Sequence, residues 1–297
     1  MTPRRRARPR WDGRVPDQAG RHVVVTGAGG GLGLELTRRL SGAGARVTMA
    51  VRDPTRLPND VRRWPGVTPA VLDLSDLSSV RRFAERTGPV DVLVANAGVM
   101  GVPPTRTADG FELQLATNHL GHFALTNLLL PRLSDRVVVV ASRSHAAGEL
   151  PLDDLNWERR RYRRYAAYGQ SKLANLLFTS ELQRRLTAVG STLRAVAAHP
   201  GYTSTGIQGR TGVRSFTALA DLGNRVVGMP VERGVLPLLF AAMCDIPGNS
   251  YLGPDLPLQL HGRPVQVGRS ALASDPELAK QLWLASEELT GVRFPLG

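Results

Sequence analysis

The chain has 297 residues, is 42% hydrophobic and carries a single cysteine, Cys244. That suffices for one large α/β domain, excludes an internal disulfide and, with no apolar run behind the basic start "MTPRRRARPR", points to a cytoplasmic protein without a secretion signal. The net charge of +13 invites a nucleic-acid reading, but scattered arginine, few aromatics and no recognisable binding module argue against one, and no stretch approaches the ~18 apolar residues of a membrane span.

In chain order, residues 1–18 are expected to form a basic, disordered tail ahead of a single domain over 19–297. "RHVVVTG" (21–27) reads as a buried strand, "LGLELTRRLSGAG" (32–44) as a helix and "RVTMAVR" (46–52) as a second strand. Strands at 67–74, 89–98, 135–142 and 192–201 follow, with helices near 76–86, 109–131 and 165–189. Short runs that are apolar on both faces and alternate with helices predict a doubly wound parallel sheet of about seven strands, a Rossmann-type α/β fold. Residues 202–229, rich in Gly and Thr, read as a substrate-side loop or lid. A helix over 230–244 and another over 274–291, with Asp275 as N-cap, Pro276 at its first position and Gly291 closing it, complete the chain.

The first strand runs directly into "TGAGGGLG", Thr26 to Gly33. Glycines between a strand and a helix let backbone N–H groups approach a pyrophosphate at the positive end of the helix, so Gly27, Gly31, Leu32 and Gly33 are candidate dinucleotide-binding positions. A carboxylate at the end of the second strand would bind the adenosine ribose hydroxyls and repel a 2′-phosphate. This chain has Val51 there and then Arg52, whose guanidinium can grip a phosphate, so NADP(H) is preferred. NAD(H) stays open, since Asp53 offers Arg52 an ion-pair partner.

Lys172 is one of only two lysines, against 36 arginines, and follows Tyr168 by four residues in "YGQSK". On a helix the two side chains share a face. An ammonium there is expected to lower the phenol from ~10 toward neutrality, so that it can exchange a proton with an alcohol or carbonyl oxygen. A compact ammonium also suits the nicotinamide ribose hydroxyls better than a wide guanidinium.

Taken together, "TGAGGGLG", "LDL" at 72–74, "NAG" at 96–98, "ATNHLGHFALT" at 116–126, "VVVVASRSH" at 137–145, "YGQSK" and "HPGYTST" at 199–205 resemble the short-chain dehydrogenase/reductase family, nearest the branch of the retinol dehydrogenases and the WW-domain oxidoreductase. The resemblance runs from about residue 19 to about 205. It implies Tyr168 as general acid/base, Lys172 as its tuner and ribose ligand, Ser142 as the hydroxyl holding the substrate oxygen, and Asn118 as the residue placing a proton-relay water. It also implies Asp73 and Leu74 beside the adenine, Asn96, Ala97 and Gly98 on the adenosine side, and Pro200, Gly201 and Thr205 at the nicotinamide end.

Three positions depart from the family pattern. Ala141-Ser142 stands for a common serine pair, with Ser144 as the alternative; Ala95 stands for an asparagine; and Gly29-Gly30 replace a polar pair in the cofactor loop. The implied activity is hydride transfer between a nicotinamide and a small carbonyl or alcohol substrate. The alternative is a non-catalytic NAD(P)-binding sensor or scaffold; an epimerase or dehydratase is disfavoured by the tight glycine spacing. The family suggests a homodimer or homotetramer paired through the helices at 109–131 and 165–189. His119, His122 and His145 lack the further ligands and spacing of a metal site, and His199 reads as a packed residue near a strand end. Trp64, Trp157 and Trp283 read as core or rim aromatics, Leu128 to Leu130 as a buried helix face, and the arginine run 157–165 as a solvated face.

Overall fold

In the computed structural model, which describes residues 11, 13–202 and 229–296, successive residues of the central strands enter opposite cores. In β1 (His22–Thr26), Val23 and Val25 join one apolar cluster and Val24 the other. Val92 and Val94 separate from Leu93 in β4 (Val90–Ala95), as do Val138 and Val140 from Val137 and Val139 in β5 (Leu133–Val140). Strands with two apolar faces must be covered on both. The helices α1 (Gly31–Gly42), α6 (Val231–Gly234) and α7 (Leu236–Met243) cover one side. On the other lie α2 (Leu77–Arg86), α4 (Gly121–Leu129), α5 (Arg164–Ala188) and α8 (Pro276–Thr290). Trp283 anchors this second core, stacked on Phe178 at 5.7 Å and edge-on to Phe123 at 4.9 Å.

With β2 (Arg46–Val51), β3 (Val67–Val71), β6 (Arg194–Ala198), β7 (Tyr251–Pro254) and β8 (Pro264–Gln266), the sheet runs in the order β3-β2-β1-β4-β5-β6-β7-β8. Neighbours are parallel except β7 and β8. The six strands read from the sequence are all present. β7 and β8, of four and three residues, are additional; they are too short to carry a strand pattern of their own. The chain reverses its direction of winding between β1 and β4, which opens a crevice at the carboxyl ends of the strands.

Two expectations change. The helix foreseen over 109–131 is instead α3 (Leu113–Leu115), a π turn over Ala116–Leu120, and α4. It starts late because Glu112 acts as its N-cap, accepting from the N–H groups of Gln114 and Leu115 at 2.9 and 2.7 Å. At Gly121 a β-carbon would collide with the carbonyl of Leu74, so this helix lies hard against the turn after β3. The N-terminal tail is also shorter than expected: the ring of Trp11 stacks on Phe240 at 5.9 Å, and Gln18 N–H donates to Ala43 O at 2.7 Å. Residues 1–10 and 12, and residues 203–228 of the expected lid, lie outside the described residues. The two ends of that lid meet, with Met229 N–H donating to Tyr202 O at 2.8 Å.

Part of the arginine excess is structural. Near the amino-terminal end of β5, away from the crevice, Asp135 accepts from Arg21, from Arg136 Nε at 3.0 Å and from Arg194 Nη2 at 2.6 Å. Burial pushes its carboxyl up, but the guanidiniums of Arg136 and Arg194 outweigh this and hold it below the usual range. Buried Arg136 also donates to Ala241 O and Cys244 O at 3.0 and 2.6 Å, closing the end of α7. In the 157–165 run, Arg160 pairs with Asp154 at 3.2 Å and lies 3.6 Å from the ring centre of Trp157, while Arg161 and Arg163 are exposed.

Candidate active site

The turns after β1 and β4 are held together by one buried hydroxyl. Thr26 Oγ1 accepts the backbone N–H groups of Asn96 at 2.9 Å and Ala97 at 3.0 Å, and lies 2.8 Å from His122 Nε2. Asn96 Nδ2 returns a hydrogen bond to Thr26 O at 2.8 Å. The other ring nitrogen of His122 lies 3.0 Å from Asn118 O. A carbonyl can only accept, so Nδ1 carries the proton, and Nε2 receives the threonine hydroxyl. Burial pushes His122 down to about 4, fixing the neutral form this wiring needs.

The glycine loop follows. Gly27 and Gly31 have φ of 63° and 52°, the left-handed region that favours glycine, and a β-carbon on Gly33 would strike Gly27 O. Helix α2 is capped by Asp76 and α8 by Asp275, whereas α1 has no side-chain cap and open space surrounds Gly30. Its first N–H groups thus keep no side-chain cap, as a bound pyrophosphate would require. Arg52 is exposed just past the end of β2. Asp53 accepts from Thr55 N–H at 2.9 Å and lies 4.0 Å from Arg56, and among the described residues Arg52 has no ion-pair partner. Asp73 holds the turn after β3 by accepting from Ser75 N–H at 2.9 Å, and Leu74 is buried next to it.

On the other side of the crevice, α5 carries Tyr168 and Lys172 one turn apart. Lys172 is 4% exposed; its Nζ donates to Val140 O at 3.0 Å and lies 5.6 Å from the centre of the Tyr168 ring. Asn175 donates to the same carbonyl at 3.1 Å. Ser142, just past β5, donates from Oγ to Ser144 Oγ and accepts there from Ser144 N–H, both at 3.2 Å, and lies near enough to the buried Tyr168 phenol to oppose the effect of burial on it. Ser142 is therefore the serine set against the tyrosine, with Ser144 beside it. Asn118 lies on the π turn, a feature frequent at functional sites. Its amide accepts from Val99 N–H at 2.8 Å and donates to Val99 O and Ser171 Oγ, both at 2.9 Å. A β-carbon on Gly98 would lie 3.1 Å from the Asn118 amide oxygen and 3.6 Å from Lys172 Nζ, so these groups share one corner.

One electrostatic expectation is overturned. Burial pushes the Tyr168 phenol up to about 12 and the hydrogen bond from Ser142 only partly opposes this; burial pushes Lys172 down to about 8. The ammonium is directed at Val140 O, and burial sets the direction for the phenol. Tyr168 is accordingly protonated at neutral pH.

Pro200 and Gly201 follow β6, and Gly201 N–H donates to His199 Nδ1 at 3.2 Å. His199 is fully buried against Tyr251, with ring centres 5.2 Å apart. Thr205 lies outside the described residues. His119 turns away from His122 to Ser286 at 2.9 Å, and among the described residues no group of three or more His, Cys, Asp or Glu gathers as a metal site. Nor is any helix among them long and apolar enough to cross a membrane. Sequence reasoning missed the bridging parts of Thr26 and His122. Both stand in quoted motifs, but only their contacts across the sheet reveal what they do.

A family model of the short chain dehydrogenases matches residues 21–213. Retinol dehydrogenase 13 of Homo sapiens is 37% identical, over 95% of this chain and 89% of its own length. A crystal structure of an uncharacterized protein from Mycobacterium paratuberculosis is 51% identical, covers 97% of this chain and 100% of its own, and superposes with a TM-score of 0.84. A structure described as a gluconate 5-dehydrogenase from Beutenbergia cavernae, with bound NADP, is 26% identical over 76% of this chain and 91% of its own, with a TM-score of 0.58. With the crevice, the glycine loop and the Tyr168–Lys172 helix all present, the chain belongs to the short-chain dehydrogenase family and is an NAD(P)-dependent oxidoreductase acting on CH–OH or C=O groups.

Proposed function

We propose that the protein is an NADP(H)-dependent reductase of aldehydes or ketones, able to run in reverse on the corresponding alcohols, with Tyr168 as the proton donor. The observation that carries this reading is the Lys172 ammonium 5.6 Å from the Tyr168 ring centre, one turn along α5. The bound nicotinamide supplies the hydride when a carbonyl is reduced and takes it up when an alcohol is oxidised. Ser142 holds the carbonyl oxygen, and Tyr168, protonated at neutral pH, delivers its proton to that oxygen. Lys172 binds the nicotinamide ribose, and Asn118 keeps the Gly98–Val99 backbone at the lysine and serves the water that returns the proton.

The residues of the crevice fit the cofactor: the uncapped start of α1 suits its pyrophosphate, Asp73 and Leu74 its adenine, Asn96 to Gly98 its adenosine side, and Pro200 and Gly201 the nicotinamide end. The guanidinium of Arg52, without an ion-pair partner among the described residues, supports a 2′-phosphate and hence NADP(H) over NAD(H), and the neighbour with bound NADP supports the same choice. The retinol dehydrogenase relative makes retinoid aldehydes the first substrates to try.

Tyr168→Phe should fold and bind NADPH as the parent does while carbonyl reduction falls by roughly 10² or more; NADPH oxidation over a panel of aldehydes and ketones reads this, and an unchanged rate would remove Tyr168 from its role. Lys172, held down to about 8, is charged below that pH and neutral above it. NADPH affinity should therefore weaken as pH rises through about 8, and Lys172→Met should remove that pH dependence, which fluorescence titration across pH measures. Arg52→Ala should raise KM for NADPH roughly tenfold or more and leave that for NADH within about twofold; equal changes for both would show that Arg52 reads no 2′-phosphate.

A further inference from the structure

His145 is buried beside the reacting groups and has no part in the mechanism above. Its Nδ1 lies 2.7 Å from Ser142 O, and its Nε2 lies 3.2 Å from Ser270 N. A backbone N–H can only donate and a carbonyl can only accept, so Nε2 is the acceptor and Nδ1–H the donor. One neutral imidazole therefore joins the backbone of Ser142 to the segment that runs from β8 toward α8. The ring cannot swing freely, because the ring of Tyr251 stands edge-on to it at 5.7 Å and 85°. Ser142 itself has an extended backbone, φ −152° and ψ 156°, at the point where β5 gives way to a short 3-10 turn. The Ser142 carbonyl accepts from the His145 backbone N–H at 3.1 Å as well as from the ring, so the imidazole adds a second hold and ties this turn to Ser270.

We infer that His145 is a positioning residue that holds the Ser142 hydroxyl against Tyr168 by gripping the Ser142 carbonyl, with Ser270 setting the tautomer that makes the grip possible. The inference rests on the reading of Ser142 as the group that holds the substrate oxygen. Without the imidazole the turn keeps only its backbone bond to the Ser142 carbonyl and loses its tie to Ser270, so the Ser142 hydroxyl, already shared with Ser144 Oγ at 3.2 Å, is less firmly set toward Tyr168. The consequence falls on the chemical step and not on cofactor binding, since the glycine loop and Arg52 lie across the crevice. Small misplacements of a group that orients substrate are costly in rate.

The test uses the full chain and a carbonyl that the wild type turns over, with His145→Ala, His145→Asn and His145→Gln compared for kcat, KM, NADPH affinity and melting temperature. His145→Ala should lower kcat about tenfold or more and leave NADPH affinity within about twofold. The Asn amide places a donor where Nδ1 was, so His145→Asn should recover most of kcat. The Gln amide reaches only the Nε2 position, so His145→Gln should recover melting temperature without kcat. Equal kcat in Asn and Gln variants, or kcat that tracks melting temperature through all three, overturns the inference, and this comparison stands even where the Ala variant fails to fold. A wild type inactive on every carbonyl would overturn the reading of Ser142 and this inference with it, whereas an active wild type with indifferent variants removes His145 alone.

Discussion

The hydroxyl of Thr26 is the point on which the site depends. It is fully buried, where an unsatisfied hydroxyl would be costly, and its bonding capacity is filled by groups from two other elements. Two backbone N–H groups come from the turn after β4, and His122 comes from the helix that packs over it. Because His122 spends its other nitrogen on Asn118 O, a single chain of hydrogen bonds runs from the glycine loop to the π turn. Asn118 carries it on to Val99 and to Ser171 on α5, the helix that bears Tyr168 and Lys172. The cofactor side and the proton side of the crevice are thus set by one network.

The chemistry works against the medium that holds it. A sheet covered on both faces provides a dry site, and dryness disfavours both a phenolate and an ammonium. The structure yields on each: Tyr168 is pushed up to about 12 and Lys172 down to about 8. The proposed carbonyl reduction calls for a phenol that holds its proton, the form that burial favours. The Lys172 ammonium donates a hydrogen bond to Val140 O at 3.0 Å, which gives it one polar partner in the dry site. Arginine, with its fixed planar fork, could not occupy this corner beside Gly98 and still meet that carbonyl.

How far the sequence could be read follows the range of the interactions. Buried strands, the glycine loop, the Asp275–Pro276 start of the last helix and the spacing of Tyr168 and Lys172 are all written in a few consecutive residues, and the structure holds them where they were expected. The π turn at Ala116–Leu120 could not be seen, because a run of residues suited to an α-helix does not show where the turn widens, and the contact of Gly121 with Leu74 beside it is made across the fold. The roles of His122 and His145 were hidden for the same reason: a buried histidine is assigned only when both of its ring partners are known. The phenol was misjudged because adjacency to an ammonium is visible in a sequence and desolvation is not. Trp11 looked like part of a tail because its partner, Phe240, stands at the other end of the chain.

The most direct test of the central claim is a double-mutant cycle on Thr26→Val and His122→Phe, read as the NADPH dissociation constant. One shared network predicts that each change weakens binding and that the pair is non-additive, with a coupling of about 1–2 kcal/mol. Additive effects, or an NADPH affinity indifferent to both changes, would contradict the account.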